Sequence, residues 1–241
     1  QTKERRQTGR FLLEGTHLIQ EAIAVNYPLE VVCATATWIE HYPQFWRQLQ
    51  TLTQRAEPVS HEVLNAIATT VTPDGVVATA IHQSPRFPPL PMQLGLAVEN
   101  LQDPGNLGTL IRTAAATGVE GLWLVGQTLD LTNPKVLRAS AGQWFRLPIQ
   151  TELSLPDLIQ QCQRSGMQVL ATTLTATTPY WDVDLMRPTL ILVGNEGAGL
   201  SEQAQAMADT EVMIPLQAGV ESLNVAIATA LILYEVQRQR R

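Results

Sequence analysis

The sequence has little cysteine and no long apolar run, and each shortage excludes a class of protein. Only Cys33 and Cys162 are present, far apart and without a neighbouring histidine or second cysteine. This excludes a disulfide framework and a zinc site, so we expect two core thiols and no bound metal. The longest apolar runs, such as residues 76–81, fall far short of the roughly 20 residues of a membrane helix. We therefore expect no membrane partner.

The sequence also lacks a surplus of basic residues, since its formal net charge is −6. Nonspecific affinity for nucleic acid comes mainly from Lys and Arg, which release counterions, so the chain is not coated with phosphate-binding groups. Basic residues do cluster at residues 3–10 and 238–241. These clusters are either a local positive patch on an acidic body or solvated tails.

The first residues bear on where the protein works. The chain starts at Gln1 and looks trimmed, and Lys3, Arg6 and Arg10 are not followed by an apolar run long enough for a signal peptide. We expect a cytoplasmic location.

Alternating strand and helix patterns predict an α/β protein with two domains. Residues 1–81 are predicted to form a small α/β unit for recognition or docking. Residues 82–93 contain four prolines, at 85, 88, 89 and 91, and form the expected linker. Residues 94–241 alternate apolar strands with helical segments, which is typical of a parallel sheet covered on both faces.

Polar residues interrupt the apolar pattern of the second domain where strands lead into helices. They are Asn106 and Arg112 after the first strand, Glu196 in a glycine-rich turn, and Ser222 and Asn224 before the last helix. Ligands bind at such positions in α/β proteins, so this is the candidate site. Turn structure alone is an alternative for Glu196, and helix capping is one for Asn224. An arginine in a small, apolar helix either pairs with a carboxylate or faces an anionic ligand.

A nucleotide-binding motif is the obvious competitor for these turns. Gly105-Asn-Leu-Gly108 lacks the third glycine of the dinucleotide fingerprint, and Gly194-Asn-Glu-Gly-Ala-Gly199 lacks the lysine of a P-loop. The carboxylate of Glu196 would also repel a phosphate. Neither motif therefore fits.

Three motifs in order resemble the SpoU (TrmH) class of RNA ribose 2′-O-methyltransferases. They are Asp103-Pro-Gly-Asn-Leu-Gly-Thr-Leu-Ile-Arg112-Thr-Ala, Val193-Gly-Asn-Glu-Gly-Ala-Gly-Leu-Ser201 and Ile214-Pro-Leu-Gln-Ala-Gly-Val-Glu-Ser222-Leu-Asn224-Val-Ala. The resemblance covers residues 94–239. The opening residues, with Phe11-Leu-Leu-Glu-Gly15, resemble the family's substrate-binding domain, which is similar to a ribosomal-protein-like fold.

The resemblance implies a fold and a chemistry. It implies a deep trefoil knot from about residue 189 onward, S-adenosylmethionine as methyl donor, ribosomal or transfer RNA as substrate, and a homodimer. The implied catalytic residues are Arg112, Asn106, Glu196, Ser222 and Asn224, and the implied cofactor-binding residues are Gly194, Ile214, Leu216 and Leu223.

The role of Arg112 has two interpretations. By similarity it removes the proton of the ribose 2′-hydroxyl with help from the substrate phosphate. A guanidinium stays protonated to about pH 12, which favours positioning of the phosphate and hydroxyl instead.

The third motif departs from the commonest pattern at Leu216, Ala218 and Ala226, and none of these changes removes an implied functional side chain. Two rival functions stay open. One is a catalytically silent RNA-binding or assembly factor of the same fold, and the other is a nucleotide-binding oxidoreductase.

Overall fold

The structure is a computed structural model that describes residues 5, 7–83, 86–126 and 129–241. Lys3, Arg6 and the linker residues Ser84 and Pro85 lie outside the described residues. The chain divides into two compact units. Unit 1 comprises residues 1–84 and 130–146, and unit 2 comprises residues 85–129 and 147–241.

The strands and helices alternate along the chain. The strands are β1 (Arg10–Glu14), β2 (Leu29–Thr35), β3 (Arg55–Val59), β4 (Val76–Ile81), β5 (Leu94–Glu99), β6 (Gly121–Val125), β7 (Ile149–Leu153), β8 (Gln168–Thr172), β9 (Thr189–Val193) and β10 (Thr210–Val212). The helices are α1 (Thr16–Ala24), α2 (Ala36–His41), α3 (Pro43–Leu52), α4 (His61–Ile67), α5 (Pro104–Ala116), α6 (Pro134–Ala139), α7 (Leu155–Arg164), α8 (Glu202–Met207) and α9 (Val225–Arg240).

Unit 1 is built on a four-stranded mixed sheet in the order β1-β4-β2-β3. Strands β1 and β2 both run antiparallel to β4, and β3 runs parallel to β2. Leu13, Ile19, Val32 and Leu49 are fully buried between this sheet and its helices. Unit 1 is therefore the small α/β unit that the sequence indicates.

Residues 130–146 group with unit 1, although the strands on either side of them in sequence belong to unit 2. Two ion pairs join this segment to β1 and α1, Arg138 to Glu14 at 3.4 Å and Arg146 to Glu21. The ring of Trp144 lies 5.2 Å from that of Phe11. The sequence pattern indicated only a helix here, because long-range ring and ion contacts leave no periodic signal. The domain boundaries at residues 81 and 94 stay a prediction.

Unit 2 contains a six-stranded sheet in the order β10-β8-β9-β5-β6-β7, and every neighbouring pair is parallel. Its core includes Ala97, Val169, Leu190 and Leu192, which are at most 1% exposed. The order divides between β9 and β5: strands β5, β6 and β7 follow one another on one side of this point, and β9 and β8 lie on the other side. The strand order therefore reverses beside β5 and β9, and their carboxyl ends define the point where such sheets bind ligands. The predicted α/β fold is confirmed, and the knot remains an implication of the family resemblance.

Two features of the described residues concern the expected membrane and metal partners. In residues 5, 7–83, 86–126 and 129–241 no helix is long and apolar enough to cross a membrane. The same part of the chain brings no three His, Cys, Asp or Glu side chains together as a metal site.

Candidate active site

A chain of hydrogen bonds joins the three polar loops of unit 2. Asp103 caps α5 by accepting the backbone N–H of Asn106 at 2.8 Å, which fixes the first turn of the helix. The Nδ2 of Asn106 donates to Oε1 of Glu196 at 3.0 Å. The Oδ1 of Asn106 accepts from Nδ2 of Asn224 at 3.0 Å. Residues 90 and 118 positions apart along the chain thus meet beside the ends of β5 and β9.

The carboxylate of Glu196 is the anionic end of this chain. Partial burial raises the pKa of Glu196, but hydrogen bonds from Asn106 and from the backbone N–H groups of Glu196, Asp103 and Gln102 outweigh it. The resulting pKa lies below the usual 4.5. Glu196 is therefore ionised at neutral pH and accepts hydrogen bonds without donating any.

Asn224 has two roles at once. Its Oδ1 caps α9 by accepting the N–H groups of Ala226 at 2.9 Å and Ile227 at 3.3 Å. Its Nδ2 remains available and donates to Asn106. Helix capping therefore explains the hydrogen bonds of Oδ1 only, and Nδ2 belongs to the hydrogen-bond network.

The 194–201 loop that carries Glu196 is tied to itself. The backbones of Asn195 and Gly199 exchange two hydrogen bonds of 3.0 Å, and Oδ1 of Asn195 accepts the N–H groups of Gly197 and Ala198. A Cβ on Gly194 would lie 2.0 Å from the carbonyl carbon of Gly199. The close return of the loop therefore requires glycine at position 194.

The same loop is also tied to the end of β5. Nδ2 of Asn195 donates to the carbonyl of Asn100 at 2.8 Å. Glu99 accepts the N–H of Ser201 at 2.8 Å and its hydroxyl at 2.9 Å. Neither Glu99 nor Ser201 was among the predicted site residues. A carboxylate that ends an otherwise apolar strand was the available signal for Glu99.

A cavity of about 430 Å³ opens between the 194–201 loop and the 214–223 segment. Its lining includes all four predicted cofactor-binding residues, Gly194, Ile214, Leu216 and Leu223. Ser222 and Glu196 also line it, as do residues 172–175, which begin with the last residue of β8. Ser222 is exposed, and among the described residues its side chain has no hydrogen-bond partner.

The cavity suits S-adenosylmethionine in size and chemistry. Its volume lies within the roughly 300–1,000 Å³ typical of small-molecule sites. The apolar side chains of Ile214, Leu216 and Leu223 match a purine face, while the backbone groups of the 194–201 loop match its polar edges and the ribose. The ionised Glu196 lines the cavity and suits a donor that carries a positive sulfonium.

Arg112 lies apart from this network. It follows Asn106 by six residues on α5, which is about 9 Å along the helix axis and roughly 120° around it. Its side chain is exposed, and within the described part of the chain it has no hydrogen-bond or ion-pair partner. It does not line the cavity. The structure therefore brings together Asn106, Glu196, Asn224 and Ser222 but leaves Arg112 in solvent.

Unit 2 has a parallel α/β sheet, and its polar network and cavity lie where the strand order reverses. These features define a class of proteins that hold a ligand at the carboxyl edge of the sheet. Within this class, the chain belongs to the SpoU rRNA Methylase family, which matches residues 93–234. Residues 1–78 match the MRM3-like substrate binding domain. The resemblance drawn from the three motifs is confirmed.

Relatives of the chain are similar over nearly its whole length. A tRNA/rRNA methyltransferase of Synechocystis sp., itself uncharacterized, is 48% identical over 241 residues, which are 100% of this chain and 88% of that protein. The 23S rRNA (guanosine(2553)-2′-O)-methyltransferase of Bacillus subtilis is 33% identical over 236 residues, which are 98% of this chain and 91% of the relative.

A solved structure is similar to nearly all of the chain. The SpoU methyltransferase AviRb from Streptomyces viridochromogenes, in complex with the cofactor AdoMet, matches with a TM-score of 0.85 at 29% identity. The match covers 99% of this chain and 93% of AviRb. A structure of this fold thus holds S-adenosylmethionine, the cofactor that the cavity of this chain suits.

Proposed function

We propose that this protein transfers a methyl group from S-adenosylmethionine to a ribose 2′-hydroxyl of ribosomal or transfer RNA. The observation that carries the proposal is the hydrogen-bonded chain of Glu196, Asn106 and Asn224 beside a cavity of cofactor size. Membership of the SpoU family and relatives named as rRNA and tRNA methyltransferases support it.

The cofactor is held by residues already described. Gly194 and the backbone of the 194–201 loop form one side of its site, and Ile214, Leu216 and Leu223 form the other. S-adenosylmethionine supplies an electrophilic methyl group when bound. Because Gly194 allows the loop to close on itself, the loop amides are fixed before any ligand arrives, which lowers the cost of binding.

The chain's own polar residues orient the acceptor. Asn106 is held from both sides, by Glu196 and by Asn224, so its amide cannot rotate without breaking two hydrogen bonds. Ser222 lines the cavity and has no side-chain partner among the described residues, so we assign its hydroxyl to the acceptor ribose. A hydroxyl reacts only when it is held in line with the donor, so this rigidity is the contribution we assign to the network.

Arg112 positions the RNA phosphate next to the reacting ribose. Its exposed guanidinium has no partner among the described residues, so no intramolecular ion pair must break before it binds an anion. The protonated group favours positioning over proton removal.

The protein works as a homodimer through α5 and α9. A groove of about 500 Å³ between them is lined by Thr109, Thr113, Ile227, Leu231 and Tyr234, among others. The last three are 56%, 40% and 54% exposed, which is unusual for large side chains on one helix face. Since Thr109 and Thr113 flank Arg112, a second copy seated there would border the turn that carries this arginine.

We place the enzyme in the cytoplasm, as expected from the sequence.

The test is methyl transfer by the full chain. Wild-type protein, labelled S-adenosylmethionine and RNA from cells lacking the gene should give a labelled ribose that can be mapped. Replacement Arg112→Ala should lower kcat by about 100-fold, because the phosphate loses its position, with cofactor affinity nearly unchanged. Arg112→Lys should recover part of the rate.

The matched control is Arg187→Ala, since Arg187 is also exposed and its side chain has no partner among the described residues. It should keep full activity. Loss of both cofactor binding and transfer in Arg112→Ala would contradict the assigned role. Tight NAD binding without binding of S-adenosylmethionine would favour an oxidoreductase instead.

A further inference from the structure

We infer that a groove on unit 1 binds an unpaired nucleobase of the RNA substrate. This inference rests on the proposed function and gives unit 1 a specific contact. The groove lies between α1 and the junction of α2 and α3, and its volume is about 710 Å³. Its lining includes Gln20, His41, Tyr42, Gln44, Phe45 and Gln48. We call it the Tyr42 groove.

The aromatic floor of the groove is suited to stacking. Tyr42 is 42% exposed, although its ring lies only 5.1 Å from that of the buried Trp38, with 35° between the ring planes. The ring of Phe45 lies 5.9 Å from the same Trp38. The core therefore supports the Tyr42 ring while much of it remains in contact with solvent. Exposed rings of this kind are the platforms on which proteins stack unpaired bases.

The polar groups around this floor match the edge of a base. The side-chain amides of Gln20, Gln44 and Gln48 are exposed, and none of them has a partner in the part of the chain that the structure describes. Nδ1 of His41 lies 2.7 Å from the carbonyl of Thr37, which can only accept, so the proton is on Nδ1. In the neutral ring Nε2 is then an acceptor. Amides and an imidazole acceptor suit Watson–Crick edges of unpaired bases.

The charge near the groove favours a nucleotide over a free apolar ligand. Most described arginines of unit 1 are bound to carboxylates: Arg5 to Asp130, Arg10 to Glu30, Arg55 to Glu57, Arg138 to Glu14 and Arg146 to Glu21. Arg47 is exposed and, among the described residues, has no side-chain partner. It immediately precedes Gln48 on α3 and does not itself line the groove. None of the groove's lining residues is acidic, so Arg47 can hold the phosphate that accompanies the base.

The experiment measures RNA binding and methyl transfer separately, with the full chain throughout. Binding is measured without S-adenosylmethionine, on purified ribosomal RNA and on a short single-stranded RNA of mixed sequence. Tyr42→Ala should weaken the binding of both RNAs by roughly 10-fold, since base stacking on an aromatic ring is lost. Tyr42→Phe should bind like the wild type. The transfer assay should show a raised KM for RNA with little change in kcat.

Matched variants separate the groove from general surface effects. Gln48→Ala should weaken RNA binding, while Gln50→Ala, on the same helix and also exposed but outside the groove, should not. Arg47→Ala should reduce the slope of log K for RNA binding against log salt concentration by about one, which corresponds to one lost phosphate contact. Arg47→Lys should restore the slope. Circular dichroism melting shows that each variant is folded.

The two proposals fail differently. If wild-type protein transfers methyl groups but Tyr42→Ala binds RNA as tightly as Tyr42→Phe, the proposed role of the groove is overturned and the proposed methyltransferase activity stands. If Tyr42→Ala weakens RNA binding while wild-type protein transfers nothing, the groove stands and the methyltransferase is overturned. Equal loss in Tyr42→Phe and Tyr42→Ala overturns stacking as the mode of contact.

Discussion

The two walls of the cofactor cavity differ sharply in how they are held. The 194–201 loop is fixed by its own backbone, by Asn195, and by bonds from Asn195 and Ser201 to the end of β5. The 214–223 segment is long and carries three predicted cofactor-binding residues. Within the described residues it has a single hydrogen bond, from the N–H of Val220 to the carbonyl of Gln217 at 3.1 Å.

This difference suggests a division of labour between the walls. The fixed wall carries Glu196 and so holds Asn106 in place without a ligand. The 214–223 segment is the loosely held wall and can adjust around the cofactor. The conformational entropy that it loses on ordering reduces the free energy of cofactor binding. Asn224 directly follows the 214–223 segment and is hydrogen-bonded to Asn106, so closure of this segment on the cofactor would act directly on the network.

The largest effect is expected from a methyl group added to the fixed wall. In Gly194→Ala the new Cβ would lie 2.0 Å from Gly199 and 2.2 Å from Leu200, so the loop must move. We expect a loss of about 3 kcal/mol in the free energy of unfolding and loss of cofactor binding, measured by chemical denaturation and calorimetry.

Gly197→Ala is the matched control in the same loop. The nearest atom to its Cβ would be Oδ1 of Asn195 at 3.6 Å, which is an ordinary contact. Its stability should stay close to that of the wild type. Equal destabilisation by the two substitutions would mean that the loop is not held by close return of its backbone.

The next effect concerns the bond between the fixed wall and Asn106. Glu196→Ala removes the acceptor for Nδ2 of Asn106, so that the side chain is held by Asn224 alone. We expect kcat for methyl transfer to fall by up to about 100-fold, because small misplacement of a positioning group is costly. Asp157→Ala, which removes an exposed carboxylate on α7 outside both the cavity lining and the 214–223 segment, should leave kcat unchanged. A large change in stability together with normal kcat would assign Glu196 to turn structure.

The smallest effect compares the two walls directly by hydrogen exchange. Without ligand, amides of the 194–201 loop should exchange slowly and those of the 214–223 segment quickly. At S-adenosylmethionine concentrations of about 10 times Kd, the bound form gains about 1.4 kcal/mol, so exchange in the 214–223 segment should slow by up to about 10-fold. Protection confined to the 194–201 loop would reverse the roles assigned to the walls.

The convergence of Asn106, Glu196 and Asn224 could be predicted from the sequence. Each follows or precedes an apolar segment at a strand-to-helix junction, and parallel strands place such junctions at one edge. Arg112 was predicted in the same way, but a helix turns every residue by about 100°, so its direction depends on the exact register of α5. Its place in the site stays a prediction.

Other features left too weak a signal in the sequence. Strand β7 was not predicted, although Ile149-Gln-Thr-Glu-Leu153 alternates, because five residues are a short pattern. The short helix α8 was not predicted either. Glu99 was not singled out, since its partner Ser201 lies 102 positions away.

By itself, the amino-acid sequence determined the α/β class, the SpoU family and the residue types of the candidate site. These depend on local periodicity and on the residue order of three motifs, which can be recognised without knowledge of contacts. Only the tertiary structure decided which side chains meet: that Asn106 is held from both sides, that Arg112 stands apart, and that residues 130–146 pack with unit 1. The physical reason is that hydrogen bonds and ring contacts act over a few ångströms in space, whatever the distance along the chain.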